Sequence, residues 1–116
     1  MLSLNDKTLL EPRAFINGLW VENGKTFPVL NPATGEKITD VTDVSVEETR
    51  RAIDQAYEAQ KDWANWTGKE RGTVLRRWFD LMIENADDLA AILTAEMGKP
   101  LEEAKSEVLY LSLIHI

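Results

Sequence analysis

The hydrophobic pattern of the chain changes its period once, near Ser45. Before this point, short apolar runs alternate with turn residues, which is typical of extended segments. After it, apolar residues recur about every 3.6 positions, as on the buried face of an amphipathic helix. The residues alone therefore predict a small α+β segment whose strands come first and whose helices follow.

Residues 13–44 are predicted to form β-hairpins. The dipeptide Asn17-Gly18 separates the apolar runs AFI and LWV, and both residues tolerate the positive φ angles of a two-residue hairpin turn. Asn23-Gly24 repeats this turn signal a few residues later. We therefore expect a hairpin turn at each of these two dipeptides.

The second part of this region contains a predicted strand and a predicted turn. The run TFPVL, residues 26–30, has a β-forming composition, and Pro28 places it at a sheet edge because proline has no N–H to donate. The following NPATGE predicts a type I turn in which Gly35 takes a left-handed conformation. Beyond it, Ile38 and Val44 give KITDVTDV a weaker alternation than a clean strand would show.

Two capping boxes predict where the first two helices begin. In SVEE, the hydroxyl of Ser45 can accept from the amide of Glu48 while the Glu48 carboxylate bonds back. The sequence TGKE, from Thr67 to Glu70, repeats the arrangement. Each box places a helix start directly before an amphipathic stretch.

A corner is predicted between a third and a fourth helix. Asn85 can end the second helix, and the third is expected from about residue 86 to residue 97. Gly98 suits the left-handed conformation that ends a helix, and Pro100 fits the first turn of the next one. The sequence GKP therefore predicts a sharp change of direction rather than a functional site.

The first two helices each carry an apolar stripe that we expect to be buried. Trp63 and Trp78 lie on these stripes, so we expect core packing for both rather than a ligand-stacking role, whereas Trp20 beside a hairpin turn is open to either interpretation. The stripe residues are Val46, Ile53, Ala56, Tyr57, Trp63 and Ala64 in the first helix, and Val74, Leu75, Trp78, Met82 and Ile83 in the second.

Composition excludes several classes of function. The 116 residues carry 13 basic and 20 acidic side chains, and the net charge of −7 disfavours nucleic acid as a partner. No run approaches the roughly 18 apolar residues that span a bilayer, so we expect a cytoplasmic location and no membrane partner. The absence of cysteine excludes thiolate ligands and cysteine nucleophiles in this chain, and the single histidine, His115, leaves no histidine pair for a metal site.

Adjacent like charges are interpreted without catalysis. Each acidic pair falls in the first turn of a predicted helix, where the helix dipole accounts for it, and the basic pairs are expected on solvated faces. The pairs are Glu47-Glu48, Asp87-Asp88, Glu102-Glu103, Arg50-Arg51 and Arg76-Arg77. The residues alone thus predict no catalytic, cofactor-binding or metal-binding residue.

The order of the motifs nevertheless resembles a known family. FINGLWV, NPATGEKI, ERGTVLRRWFDLMIEN and DDLAAILTAEMGKPLEEAKSEV, between about Phe15 and Tyr110, resemble the N-terminal part of the NAD(P)-dependent aldehyde dehydrogenases, especially the succinate-semialdehyde branch. The resemblance implies an α/β fold and an incomplete domain: the N-terminal part of a Rossmann-like cofactor-binding domain, with β-hairpins followed by three to four helices. It divides the chain into an N-terminal arm (1–12), a hairpin region (13–44), helices (45–110) and an atypical tail (111–116).

The resemblance also implies an activity. In that family a cysteine thiolate attacks the aldehyde, hydride passes to NAD or NADP, and a glutamate activates water to release the acid. Those residues belong to later segments of the family, so this chain alone is expected to be inactive. Succinate semialdehyde is the expected substrate, with glutarate semialdehyde or another semialdehyde as the alternative, and the full-length protein is expected to be a homo-oligomer.

Two further expectations follow from the resemblance. Some members hold an alkali cation, which would place Val29, Leu30 and Glu96 around it here. The ending LSLIHI departs from the family pattern, which suggests a truncated chain whose last codons are not native.

A different class of function also fits the residues. The chain could be a free-standing helical interaction module without catalysis, and in that case its apolar stripes should cover one another. The stripe of Trp78 and Met82 instead suits a sheet that this chain lacks, as expected for the incomplete domain that the resemblance implies.

Overall fold

The computed structural model describes residues 2–112. Within this range the chain forms two antiparallel β-hairpins followed by four α-helices, which confirms the predicted order. The elements are a short 3₁₀ helix Lys7–Leu9, the strands β1 (Ala14–Ile16), β2 (Leu19–Val21), β3 (Thr26–Leu30) and β4 (Lys37–Thr42), and the helices α1 (Val46–Asn65), α2 (Gly68–Glu84), α3 (Ala86–Met97) and α4 (Leu101–Ser112).

The first hairpin turns at Asn17-Gly18, as predicted. Asn17 has φ 50° and Gly18 has φ 77°, so both turn residues take the left-handed conformations that match the twist of the strands. Phe15 lies opposite Trp20, and their ring centroids are 4.8 Å apart. This cross-strand aromatic pair fixes the register of a hairpin only three residues long on each side.

The prediction of a second hairpin turn at Asn23-Gly24 is wrong. These residues connect the two sheets, because β3 pairs with β4 rather than with β2. The Asn23 side chain explains the difference: its Nδ2 donates to the carbonyl of Asp43 at 2.8 Å, and its Oδ1 accepts from the amide of Lys25 at 3.0 Å. An asparagine amide thus holds the connection against the end of β4.

The second hairpin closes through the NPATGE turn. The amide of Gly35 donates to the carbonyl of Asn31 at 2.8 Å, and Gly35 takes the predicted left-handed φ of 73°. Pro28 lies opposite Asp40 in a two-stranded sheet, where both strands are edges, as expected for a proline-containing strand. The weakly alternating residues 37–42 form β4, because pairing with β3 outweighs their poor pattern; Val44 lies beyond it.

Both predicted capping boxes are present. The amide of Glu48 donates to the Ser45 hydroxyl at 3.2 Å, and the amide of Ser45 donates to the Glu48 carboxylate at 3.0 Å. Thr67 and Glu70 make the same reciprocal pair at 3.2 and 2.8 Å. Local chemistry therefore determines where α1 and α2 begin.

The predicted corner between α3 and α4 is confirmed with one shift. Asn85 ends α2, and Gly98, at φ 77°, ends α3 with its amide donating to the carbonyl of Thr94 at 2.9 Å. Pro100 lies just before α4 rather than in its first turn, and its carbonyl accepts from the amide of Ala104 at 2.9 Å. The proline thus starts the helical hydrogen-bond ladder, which its missing N–H leaves undisturbed.

The core of the described part lies between α3 and α4, with α2 packed against both. Its buried apolar side chains are Ala90, Ala104 and Val108. Two alanines with no exposed surface allow the backbones of α3 and α4 to approach closely. The buried centre is therefore small and lies towards the C-terminal end of the described chain.

The apolar stripes of α1 and α2 are largely uncovered within the described residues. Ile53 is 63% exposed, Tyr57 64% and Trp78 64%, so the core packing expected of Trp78 is not found here, whereas an uncovered face agrees with the expectation that these stripes meet a sheet that this chain lacks. Trp63 is half-buried and packs against Trp66, with ring centroids 5.2 Å apart. The patterns identified helices correctly but did not show what covers their apolar faces.

The remaining predictions on the ends of the chain are tested only partly. Leu111 and Ser112, predicted as the start of an atypical tail, belong to α4, whereas residues 113–116, with His115, lie outside the described residues. Across residues 2–112 the structure contains no helix with the length and apolarity required to traverse a bilayer.

Candidate functional site

An open hollow of about 420 Å³ lies between the first hairpin turn and α1. Its lining residues are Asn17, Asp54, Gln55, Glu58 and Ala59. Two carboxylates in this lining would repel a pyrophosphate, and neither a glycine-rich loop nor a helix N-terminus contributes to it. The hollow therefore does not fit a dinucleotide cofactor.

The described residues do not assemble a metal centre of the usual kind. Between residues 2 and 112, no three His, Cys, Asp or Glu side chains lie close enough together to hold an ion. For the cation implied by the resemblance, Leu30 and Glu96 are exposed and Val29 is half-buried. That site would use backbone carbonyl oxygens and a single carboxylate, so a search for clustered acidic side chains does not test it. The cation site therefore stays a prediction.

Two motifs far apart in the sequence meet at the corner before α4. A Cβ built on Gly98 would lie 3.1 Å from the Cγ of Pro32, so the NPATGE turn touches the GKP corner. Lys99, the next residue, pairs with Glu107 on α4, and this hydrogen bond raises the pKa of Lys99 above its ordinary value. The corner is therefore held by close contact on one side and by an ion pair on the other.

Asp88 has a role that the sequence interpretation missed. Its side chain was attributed to the dipole of α3, yet the residue is 5% exposed and its carboxylate accepts three hydrogen bonds from the N-terminal arm. Oδ1 accepts from the amide and the side-chain Nδ2 of Asn5 at 3.0 and 3.2 Å, and Oδ2 accepts from the amide of Asp6 at 2.8 Å. No local pattern could reveal this contact, because its partners are 82 and 83 residues away in the chain.

The neighbouring Asp87 behaves differently. It is exposed and pairs with Lys105 of α4 at 3.1 Å, and that hydrogen bond raises the pKa of Lys105. The two members of one acidic pair thus contact different elements, one the arm and the other α4. A pair of this kind is not the two-carboxylate arrangement of a glycosidase, in which both carboxyl groups face one bond.

The N-terminal arm is also fixed where it joins the first hairpin. The carbonyl of Pro12 accepts from the amide of Thr42 in β4 at 2.9 Å. Glu11 accepts from the Arg13 guanidinium, and this bond, with the Arg13 amide, lowers the pKa of Glu11 to about 2. The guanidinium also lies 5.4 Å from the centre of the exposed Trp20 ring, and a ligand-stacking role for this ring stays open.

The other charged pairs have structural partners or lie in solvent. Glu48 belongs to the capping box of α1 and also accepts from Asn23 at 3.1 Å; the amide of Ser45 is the main cause of its lowered pKa. Arg76 pairs with Asp80 at 3.3 Å, while Arg50 and Arg51 are exposed. That the chain carries no catalytic residue of its own stays a prediction.

The comparison with known proteins decides the family. The model of the aldehyde dehydrogenase family matches residues 20–114. The chain belongs to the aldehyde dehydrogenase family. The two hairpins and four helices are part of a family domain and not the whole of it, as the resemblance implied.

Aldehyde dehydrogenases from several bacteria match nearly the whole chain. A glutarate-semialdehyde dehydrogenase of Pseudomonas putida is 52% identical over 111 residues, which cover 94% of this chain and 23% of that protein. A succinate-semialdehyde dehydrogenase [NADP(+)] of Escherichia coli is 49% identical over the same shares of both chains. A crystal structure of an aldehyde dehydrogenase from Brucella melitensis biovar abortus superposes with a TM-score of 0.91 at 48% identity, over 97% of this chain and 24% of that one.

This member of the aldehyde dehydrogenase family therefore spans about a quarter of the length of the relatives that it matches. The two curated relatives are named for different semialdehydes, so the likeness does not single out one substrate. The exposed stripes of α1 and α2 are surfaces of the kind that a larger domain covers.

Proposed function

We propose that this chain is the N-terminal part of an NAD(P)-dependent dehydrogenase that oxidises a carboxylate-bearing semialdehyde to the acid. The observation that carries the proposal is the identity of 49–52% to two semialdehyde dehydrogenases across 94% of this chain. Succinate semialdehyde is the proposed substrate, and glutarate semialdehyde is the alternative because one relative is named for it.

In this proposal the chain contributes structure rather than chemistry. It contains no cysteine, so it cannot supply the thiolate nucleophile that the family resemblance implies. The hollow beside α1 does not fit the cofactor and has no part in the proposed reaction. We propose instead that α1 and α2 place their apolar faces, including Ile53 and Trp78, against the remainder of the cofactor-binding domain.

The alternative function is a free-standing helical interaction module. It requires apolar stripes that cover one another, and the exposure of Ile53, Tyr57 and Trp78 argues against that arrangement. Among the residues whose burial the structure describes, only the small group around Ala90 and Ala104 resembles a self-sufficient core. The first function is therefore the better supported of the two.

A chimaeric enzyme tests whether this segment is a working N-terminal part. Residues 5–110 of this chain would replace the matching segment of the Escherichia coli relative, and oxidation of succinate semialdehyde would be followed by the formation of NADPH. We expect activity within about tenfold of the parent, because conservative core exchanges retain most stability. A folded chimaera without activity would contradict the proposal, as would measurable activity in the 116-residue chain alone.

The substrate needs a separate measurement on the whole gene product. We expect kcat/KM for succinate or glutarate semialdehyde to exceed that for the uncharged aldehyde butanal by about 10²-fold or more, because a site built for a carboxylate leaves polar groups unpaired without one. Equal kcat/KM values for the semialdehydes and for butanal would contradict the proposed substrate. They would not affect the assignment to the aldehyde dehydrogenase family. A homo-oligomeric assembly, a cytoplasmic location and the absence of nucleic-acid or membrane partners belong to the same proposal.

A further inference from the structure

The N-terminal arm crosses from the helices to the hairpins and is attached at both ends. Near its start, Asn5 and Asp6 donate to the Asp88 carboxylate of α3, and at its end the Pro12 carbonyl accepts from Thr42 of β4. Between these points the 3₁₀ helix at Lys7–Leu9 is capped by the Asp6 side chain, which accepts from the amide of Thr8 at 2.9 Å. The arm is thus a short ordered strap rather than a loose terminus.

The attachment at Asp88 differs in kind from the one at Pro12. For residues 2–9, the hydrogen bonds that the structure shows to other parts of the described chain all end on the Asp88 carboxylate. Both carboxylate oxygens are used, and hydrogen bonds to a charged acceptor are stronger than those between neutral groups. At Pro12, by contrast, one neutral backbone bond continues into the paired strands of the hairpin.

Packing in this half of the arm is confined to a few side chains. Leu2, Leu4 and Leu9 are partly buried, whereas the four residues from Asn5 to Thr8 are exposed. Segments with few buried apolar contacts open locally at a much lower cost than the global unfolding of a protein. The long-range hydrogen bonds of residues 2–9 therefore depend on one buried carboxylate, that of Asp88, beside the partial burial of these leucines.

We propose that residues 2–12 form a strap that Asp88 fastens to α3, and that this strap opens at Asp88 as a local unit while the hairpins and helices stay folded. The hinge lies at Pro12, where the chain remains bound to β4. Opening would expose the N-terminal end of α3 and the surface that Leu2 and Leu4 now cover.

Trypsin can report on the opening, because Lys7 lies inside the strap and its side chain is exposed. In Asp88→Asn the amide nitrogen faces N–H donors, so one side of the attachment is lost while the size of the side chain is kept. We expect cleavage after Lys7 to become about tenfold faster, the change expected from losing one hydrogen bond to a charged acceptor. Cleavage after Arg77 in α2, measured in the same digest by mass spectrometry, should keep its rate.

The adjacent Asp87→Asn is the matched control. It removes the same charge from the same helical turn, but its carboxylate pairs with Lys105 and not with the arm. We expect its cleavage after Lys7 to stay within about twofold of the parent. Equal acceleration in both variants would overturn the proposal, and so would Asp88→Asn accelerating cleavage after Arg77 as strongly as after Lys7.

A measurement on the unchanged chain covers the case in which Asp88→Asn does not fold. Hydrogen exchange of the Asn5 and Asp6 amides should be at least about tenfold slower than in a peptide of residues 1–12, because both amides donate to Asp88. Exchange at the rate of the peptide would overturn the proposal. Protection equal to that of the α3 interior would also overturn it, because the strap would then open only when the helices unfold.

Discussion

The pair α3 and α4 differs from α1 and α2 in what its apolar residues touch. Between α3 and α4, Ala90 and Ala104 have no exposed surface, whereas Ile53 of α1 and Trp78 of α2 remain more than 60% exposed. Each of the four helices has a sequence signal for at least one of its ends, so helix formation and helix burial are separate properties of this chain. The first depends on local chemistry, and the second depends on which partners are present.

Within the 116-residue chain, the largest loss of stability is expected from a substitution between α3 and α4. Ala104→Leu adds three carbons at a position with no exposed surface, so it should lower the free energy of unfolding by about 1–3 kcal/mol. Urea denaturation followed by circular dichroism measures the loss. Ala56→Leu on the exposed face of α1 is the matched control and should change stability by less than about 0.5 kcal/mol. Similar losses in both variants would mean that α1 is as well packed as α4.

A smaller loss is expected at the corner that leads into α4. Gly98→Ala forces an L-residue to φ 77° and places its Cβ 3.1 Å from Pro32, so we expect a loss of about 1–2 kcal/mol in the same measurement. Gly72→Ala, in the middle of α2 with open space around it, should instead stabilise by about 0.5–1 kcal/mol. Two changes of the same sign would contradict the assigned backbone conformation of Gly98.

An acid titration tests how much the capping box stabilises the first turn of α1. The folded-state pKa of Glu48 lies below the ordinary value of 4.5, so its bonds stabilise α1 fully above pH 4.5 and are lost as the pH falls through the lowered pKa. We expect Glu48→Gln to lose this part of the acid sensitivity, as followed by the amide signals of the first turn in NMR. Glu47→Gln, one residue earlier, should titrate like the parent chain; a parallel change in both would point to a general charge effect.

Within the 116-residue chain, the smallest effect on stability is expected at Trp78, the most exposed aromatic residue of α2. Trp78→Gln should change the stability of the 116-residue chain by less than about 0.5 kcal/mol, because the indole is 64% exposed. In the chimaeric enzyme we expect the same substitution to cost about 3–5 kcal/mol, the usual cost of losing a large core side chain. An equally small effect in both proteins would show that the stripe of α2 is not covered by the rest of the enzyme.

Local signals predicted most of the secondary structure. The Asn17-Gly18 turn, the boxes at Ser45 and Thr67, and the stop at Gly98 were identified from a few adjacent residues, because each satisfies backbone groups close by in the sequence. Asn23-Gly24 carries the same signal as the first turn, yet it became a connection because its asparagine bonds to the end of β4. A turn signal shows that the chain bends but not which strands then pair.

Long-range contacts were not predictable from these patterns. Asp88 looks like an ordinary first-turn carboxylate, and only the fold reveals that it binds the arm some 80 residues earlier. Trp78 was expected in a core because of its place on a stripe, but a stripe does not say whether its partner belongs to the same stretch of chain. For the candidate site, the residues alone predicted no functional group, and it was the family resemblance that indicated an aldehyde dehydrogenase.

Each described strand pairs with only one other strand, so most of its second backbone edge is open to a neighbouring molecule; at Thr42 of β4 the amide donates to Pro12 instead. In the second hairpin, Pro28 removes a donor from β3 and the ion pair between Lys37 and Asp40 puts charge on β4, two features that discourage pairing between molecules. The first hairpin has a bare aromatic surface instead, with Phe15 and Trp20 more than half exposed. Of the two hairpins, the first should therefore be the one that pairs with a neighbouring molecule in concentrated solutions of this chain.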